Sequence, residues 1–174
     1  MVETRLIGSL LVVAGSGALG YSLADAWRRR PEELARLQSC LQVLMTEMDY
    51  GLTPLAEAWE RAAGAADGVV SLLFLRAADH LRAASGITPR DAWRRSVLET
   101  YGDMAIEKSE MEMMSALGAS LGASDRHDQR RHIELCLKRL EAAERSARND
   151  AARNFRLYQY LGLISGGLVV ALLV

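Results

Sequence analysis

Two apolar segments without a charged residue lie near the ends of this 174-residue chain, at residues 6–24 and 157–174. A helix needs about 20 apolar residues to cross the roughly 30 Å hydrocarbon core of a bilayer, and each segment has about that length. Both are expected to be helical, because hydrocarbon offers no hydrogen-bond partner to a free backbone N–H or C=O. The sequence therefore predicts two transmembrane helices, over residues 6–26 and 157–174.

The first apolar segment has a second interpretation, a cleaved signal peptide with the Ala-Asp-Ala at residues 24–26 as its cleavage site. Three features favour a permanent span instead. Glu3 and Arg5 leave a weakly basic start, and the segment is longer than the apolar core of a usual signal peptide. The arginines at residues 28–30 follow directly, where positive charge hinders export. The uncleaved span is therefore the preferred interpretation.

Basic residues beside the two spans predict the topology. Arginines occupy residues 28–30, just after the first span, and Arg148, Arg153 and Arg156 precede the second. Both groups flank the same intervening segment, and basic residues beside a span stay on the cytoplasmic side of the membrane. We therefore predict a cell membrane protein with a short tail at residues 1–5, one cytoplasmic domain at residues 27–156, and both termini on the opposite side.

The composition and motifs of the chain argue against several function classes. A formal net charge of −1 supplies no excess of positive charge to attract nucleic acid. Cys40 and Cys136 are too few for a disulfide framework or a zinc site, and we expect them to be small buried thiols. His127 and His132 would lie about 140° apart around a helix, a poor geometry for one metal ion. No phosphate-binding loop or hydrolase motif occurs. We expect no enzymatic activity, cofactor or metal.

The segment between the spans has the pattern of helices. Ala, Leu, Glu and Arg dominate, glycine and proline mark boundaries, and no stretch alternates as a strand does. Leucines recur at intervals of three and four residues between Leu34 and Leu44. Thr53-Pro54 and Thr88-Pro89 each predict a helix start, with threonine as N-cap and proline at the first helical position. The predicted fold is all-α, an antiparallel six-helix bundle flanked by transmembrane helices.

Residues 53–59 and 88–93 resemble each other, which raises the alternative of a helical repeat. The similarity of the two segments consists only of a helix cap and an aromatic residue. Two similar helix starts are therefore the preferred interpretation. The third helix is predicted over residues 68–85 and the fifth over residues 106–121. The residues expected to face inward on the third helix are Val69, Leu72, Leu73, Ala77 and Leu81. The methionines of the fifth are interpreted as core filling, with a soft partner surface as the alternative; they are Met111, Met113 and Met114.

Small residues are predicted to allow close helix packing at three places. On the fifth helix, Gly118 and Gly122 stand four residues apart. In the spans the same spacing, which lets membrane helices approach closely, occurs in two pairs: Ser16 with Gly20, and Gly162 with Gly166.

The sixth helix is predicted to begin at Ser124 as N-cap, with Asp125 at its positively polarised end. The chain then has no proline, and no glycine before Gly162. We therefore expect one rigid helix that continues into the second span, so that motion of the cytoplasmic domain would reach the membrane.

The turn before the sixth helix carries a recognisable pattern. Residues 117–125 read Leu-Gly-Ala-Ser-Leu-Gly-Ala-Ser-Asp, and Gln129, His132-Ile133 and Leu135 follow. This run resembles the signature of the stage III sporulation protein AB family. The segment Tyr-Gly-Leu-Thr-Pro-Leu at residues 50–55 and Arg30-Pro31 beside the first span are similar to that family as well. The resemblance covers nearly the whole chain.

The resemblance implies a function that composition does not show. Proteins of this family act in endospore-forming bacteria, in the mother cell membrane facing the engulfed forespore, as part of a multiprotein channel needed for late forespore gene expression. They are similar to the inner-membrane platform proteins of type II secretion and type IV pilus systems. Those platforms have six-helix cytoplasmic domains that meet a secretion-type ATPase. By the resemblance, the ATPase expected for this protein is stage III sporulation protein AA. This chain has one such domain instead of two, and a homo-oligomer could replace the missing half.

We therefore expect a non-enzymatic membrane platform that docks a cytoplasmic ATPase. Other membrane proteins of the same channel and the lipid bilayer are the further expected partners. The alternative function is a membrane-tethered helical adaptor or sensor outside any secretion machine. The candidate site residues either contact a partner or only build the turn between helices five and six; they are Gly118, Gly122, Ser124, Asp125, Gln129 and His132.

Overall fold

The computed structural model describes residues 28–49, 53–83, 86–121 and 126–173, except for the side chains of residues 126 and 154–173. Within these residues the chain is helical and contains no strand. Six helices follow one another: α1 (28–49), α2 (Leu55–Ala63), α3 (Gly68–Ala83), α4 (Pro89–Tyr101), α5 (Lys108–Leu117) and α6 (Arg126–Leu173). The predicted all-α class with six helices is confirmed.

The chain divides into two compact units. One unit is Arg30–Arg145, which contains helices α2 to α5 entirely. The other joins residues 1–29 and 146–174, of which the structure describes residues 28–29 and 146–173. Helix α6 is one uninterrupted helix of 48 residues, as the lack of proline predicts. The predicted domain limits at residues 27 and 156 stay a prediction.

Among the residues that the structure describes, no helix is both long enough and apolar enough to cross a membrane. The first predicted span, with Ser16 and Gly20, lies outside the described residues. The second predicted span is described only as helical backbone up to Leu173, so the packing role of Gly162 and Gly166 also stays a prediction.

Three aromatic side chains, each from a different helix, form the centre of the Arg30–Arg145 unit. Trp59 of α2, Phe74 of α3 and Trp93 of α4 are fully buried. The ring centroid of Trp93 lies 5.8 Å from that of Trp59 and 5.2 Å from that of Phe74, the latter pair edge to face at 72°. Such aromatic pairs contribute about 0.5–1.5 kcal/mol beyond the burial of their surface. The α1 leucines that recur at intervals of three and four residues, the pattern of one helix face, pack into the same core; they are Leu34, Leu37, Leu41 and Leu44.

Helix α3 is rotated from the predicted orientation. Leu73 and Ala77 are buried as predicted, but Leu72, also predicted to face inward, is 38% exposed. Phe74 is fully buried in its place, with its ring against Trp93. Because all residues from Val69 to Leu75 except Ser71 are apolar, the periodicity of α3 does not select one face. The aromatic contact with Trp93 decides the rotation.

The two Thr-Pro helix starts differ in the structure. Thr88 caps α4 as predicted, since its hydroxyl accepts a hydrogen bond from the Asp91 N–H at 3.1 Å. The predicted Thr53 cap is wrong: Pro54 is the N-cap of α2 and no side chain caps that helix. The Thr53 hydroxyl instead donates to the Glu47 carboxylate of α1 at 3.0 Å. A hydrogen bond to an ionised group is stronger than one to a neutral group, which explains the choice.

A partly buried charge cluster joins α1 to the start of α5. The Arg30 guanidinium lies 2.6 Å from the carboxylate of Glu110 and 2.5 Å from that of Glu107. The Glu110 side chain is only 4% exposed. Glu107 and Glu110 also form a capping box, in which each side chain accepts a hydrogen bond from the backbone N–H of the other. One turn further along α1, the Glu33 carboxylate accepts from the Ala105 N–H at 2.6 Å.

Replacing Arg30 by alanine is expected to lower the free energy of unfolding by about 3 kcal/mol, because the Glu110 carboxylate stays buried without its cation. The matched control is Arg61→Ala. Arg61 also binds two glutamates, but it is 51% exposed, so water screens the pair and the expected loss is much smaller. Urea unfolding followed by tryptophan fluorescence compares the two variants. Equal losses would show that the Arg30 cluster contributes no more than a surface pair.

Cys40 and Cys136 are free buried thiols, as predicted. Burial raises the pKa of each thiol to about 12. Because the thiolate is the reactive form, neither cysteine of the folded protein should react with iodoacetamide at about pH 8. Both should be alkylated after unfolding in urea, as measured by mass spectrometry. Rapid alkylation of either residue without urea would contradict the buried position.

Candidate functional site

The signature segment joins α5 to α6. Helix α5 ends at Leu117, and the N–H groups of residues 118–121 donate to carbonyls three residues earlier, at 3.0–3.3 Å. The fifth helix is therefore shorter than the predicted residues 106–121. Glycine and serine are weak helix formers, and their density after Leu117 favours a tight turn over another helical turn. The candidate residues Gly122, Ser124 and Asp125 lie outside the described residues.

Gly118 stands at the end of α5 directly against the indole of Trp93. A Cβ atom on Gly118 would lie 2.6 Å from Cδ1 and 3.2 Å from Cγ of that ring. The ring itself is fixed, because its N–H donates to the Met114 carbonyl at 2.6 Å. Glycine therefore lets the end of α5 approach a core side chain. The structure thus gives Gly118 a packing role.

The two described candidate residues of α6 differ in position. Gln129 is half-buried, whereas His132 is exposed. His132 lines a groove of about 250 Å³ between α5 and α6. Leu135, one turn further along α6, is 46% exposed in the same groove. The other lining residues are Met113, Ala116, Leu117, Cys136 and Arg139.

The α6 side of this groove is positively charged. Arg139 lines the groove, and Arg131 and Lys138 are exposed on neighbouring turns. Within the described part of the chain, none of these three cations forms an ion pair with a carboxylate. The nearest glutamates along α6 are engaged elsewhere: Glu134 pairs with Arg130 at 2.9 Å, and Glu141 pairs with Arg145 at 3.4 Å. Arg139 is therefore available to a carboxylate from another molecule.

The groove has the chemistry of a protein contact. Its volume is below the roughly 300–1,000 Å³ of small-molecule pockets. Met113 is half-buried at its edge, and the unbranched methionine side chain adapts to different partners. Met114, one residue further, is in the core. Met114 therefore fills the core, as interpreted from the sequence, whereas Met113 lies where the alternative, a soft partner surface, would place it.

Of the residues that line this groove, sequence reasoning named His132 as a candidate contact and Met113 as part of an alternative soft partner surface. It missed Arg139, and it used Leu135 only as part of the family pattern. The available signal was the position of Leu135 on α6, between Ile133 and Cys136, whose buried side chains mark the inner face. A single exposed leucine is common on protein surfaces, and Leu135 becomes a candidate contact because it lies in one groove with the apolar residues of α5.

Replacing Gly118 by alanine is expected to lower the free energy of unfolding by about 1–3 kcal/mol, because the new methyl group overpacks against Trp93. Gly102→Ala is the matched control. Gly102 also ends a helix, has a φ of −63°, and has no atom within 4 Å of an added Cβ. Its replacement should be neutral or slightly stabilising. Urea unfolding measures the stability of both variants. Equal stability would show that the Trp93 indole moves aside without lowering the free energy of unfolding.

Comparisons with known proteins cover nearly the full length of this chain and agree on one family. The family model described as stage III sporulation protein AB matches residues 5–174. Stage III sporulation protein AB of Bacillus subtilis (strain 168) is 33% identical over 169 residues, which are 97% of this chain and 98% of that protein. A solved structure of stage III sporulation protein AB is 34% identical with a TM-score of 0.67, covering 71% of this chain and 97% of that one. The family name denotes a sporulation component and names no enzymatic activity. The chain therefore belongs to the stage III sporulation protein AB family, and its role is in sporulation.

Proposed function

We propose that this protein is a non-enzymatic membrane platform of a secretion-like channel between mother cell and forespore. Its helical domain docks a cytoplasmic secretion-type ATPase, stage III sporulation protein AA. Family membership and the all-helical fold support this proposal. The observation that carries it is the α5–α6 groove, where the signature segment leads into a surface with an exposed leucine and an available arginine.

The membrane part of the proposal rests on the sequence. The apolar segments at residues 6–24 and 157–174 hold the domain at the membrane, and the arginines beside them keep it in the cytoplasm of the mother cell. The sequence contains no nucleotide-binding loop, so a platform of this kind depends on a separate ATPase for energy. Other membrane proteins of the channel, and further copies of this chain, complete the assembly.

The test is a binding measurement on the full-length protein in lipid nanodiscs. Purified stage III sporulation protein AA is titrated onto these nanodiscs in biolayer interferometry, and ATP turnover is followed in a parallel sample. We expect saturable binding to the loaded nanodiscs and none to empty nanodiscs. A change in turnover on binding would further support coupling.

Absence of binding, with both proteins folded, would overturn the platform proposal. It would favour the alternative function, a membrane-tethered helical adaptor or sensor. The genes beside this one give an independent comparison, because a platform is expected to be encoded next to its ATPase and further small membrane proteins.

A further inference from the structure

We infer that the α5–α6 groove is the surface that receives the ATPase, and that its occupant is an acidic amphipathic helix. An apolar side chain of that helix enters the groove beside Leu135, and a carboxylate one turn away pairs with Arg139. This inference rests on the proposed function and adds to it the location and the chemistry of the contact.

The spacing of Leu135 and Arg139 determines which partner helix fits the groove. Residues four apart on a helix lie on one face, one above the other, about 5–6 Å between Cβ atoms. A partner helix that presents an apolar residue and an Asp or Glu three or four positions apart matches this spacing. Helices that dock in grooves use such intervals for their contact residues.

The size of the groove agrees with one inserted side chain. A volume of about 250 Å³ is small for a bound metabolite. The α5 side is uncharged where it lines the groove, with Met113, Ala116 and Leu117. An apolar group of the partner therefore meets apolar surface from both helices.

The charges on α6 indicate that the partner helix is acidic and at which end of the groove its carboxylate lies. Arg139, Arg131 and Lys138 place three exposed cations on the α6 side, and none is paired with a carboxylate in the described part of the chain. Asp128, one turn before His132, adds an exposed negative charge at the opposite end of this face. Of the three cations, Arg131 lies beside Asp128, whereas Lys138 and Arg139 lie together at the other end, so a partner carboxylate is favoured at the Arg139 end. Exposed charges of this kind steer association and make its rate depend on salt.

A second cavity does not share these properties. It has a volume of about 350 Å³ and lies beside the turn between α2 and α3, lined by residues 64–67 and Arg36. Its one cation, Arg36, is already paired with Asp67 at 3.1 Å. The lining residues Gly64, Ala65 and Ala66 are too small to provide an exposed apolar side chain of the size of Leu135.

The chain offers a matched control for a test. Leu135 and Arg139 are four residues apart on α6, and Arg94 and Leu98 are four apart on an exposed face of α4. Leu98 is 54% exposed, slightly more than Leu135. The double variant L135A/R139E therefore changes the groove, and R94E/L98A makes the same chemical change elsewhere.

Both variants are prepared as full-length protein in nanodiscs, and thermal unfolding first establishes that each is folded. Affinity for stage III sporulation protein AA is then measured at low and at physiological salt. L135A/R139E is expected to weaken binding at least about tenfold, the effect of removing a central interface residue. R94E/L98A should stay within about twofold of the unchanged protein. The single variant R139E should also reduce the salt dependence of the association rate, because it replaces one of the three cations by an anion.

The outcomes separate this inference from the proposed function. If the unchanged protein binds the ATPase and both double variants bind equally well, the groove is not the docking surface, while the platform function stands. A loss with R94E/L98A alone would move the contact to α4 and overturn the inference. A changed oligomeric state of L135A/R139E with unchanged ATPase affinity would assign the groove to a second copy of this chain. If the unchanged protein fails to bind, both proposals fall together.

Discussion

The indole of Trp93 contacts three other helices, and the arrangement of the helical unit depends on these contacts. Its ring packs on Trp59 of α2 and Phe74 of α3. Its N–H donates to the Met114 carbonyl of α5, and its Cδ1 edge lies against Gly118. A buried indole N–H needs a hydrogen-bond partner, so the carbonyl fixes the ring rotation as well as its position.

This contact also determines the candidate docking surface. Because Trp93 holds the last turn of α5, it sets where Ala116 and Leu117 lie, and these two residues form one side of the groove. At the other end of α5, the Arg30 cluster and the capping box fix the start of the helix. A surface that receives a partner is best placed on a helix held at both ends, since less order is then lost on binding.

Sequence patterns located the helices well where a local cause acts alone. The Thr88 cap and the α1 leucines follow from hydrogen bonding and periodicity within a few residues, and both predictions are confirmed. The Thr53 cap fails because a carboxylate 6 residues away competes for its hydroxyl. The rotation of α3 fails for the same kind of reason, since Trp93, not the α3 pattern, selects Phe74 as the buried residue. The position of Arg139 in a groove required knowing how α5 and α6 pack.

The family was identified from the resemblance of residues 117–125 to its signature, and the family model over residues 5–174 confirms it. The sequence also predicted the helical class and the number of helices, because composition, caps and periodicity are properties of short segments. It also singled out the segment at residues 117–132. What that segment does locally depends on how the helices pack: Gly118 packs on a core indole, whereas His132 lines an open groove. Contacts between residues far apart in the chain made that distinction, and no pattern within a single helix encodes them.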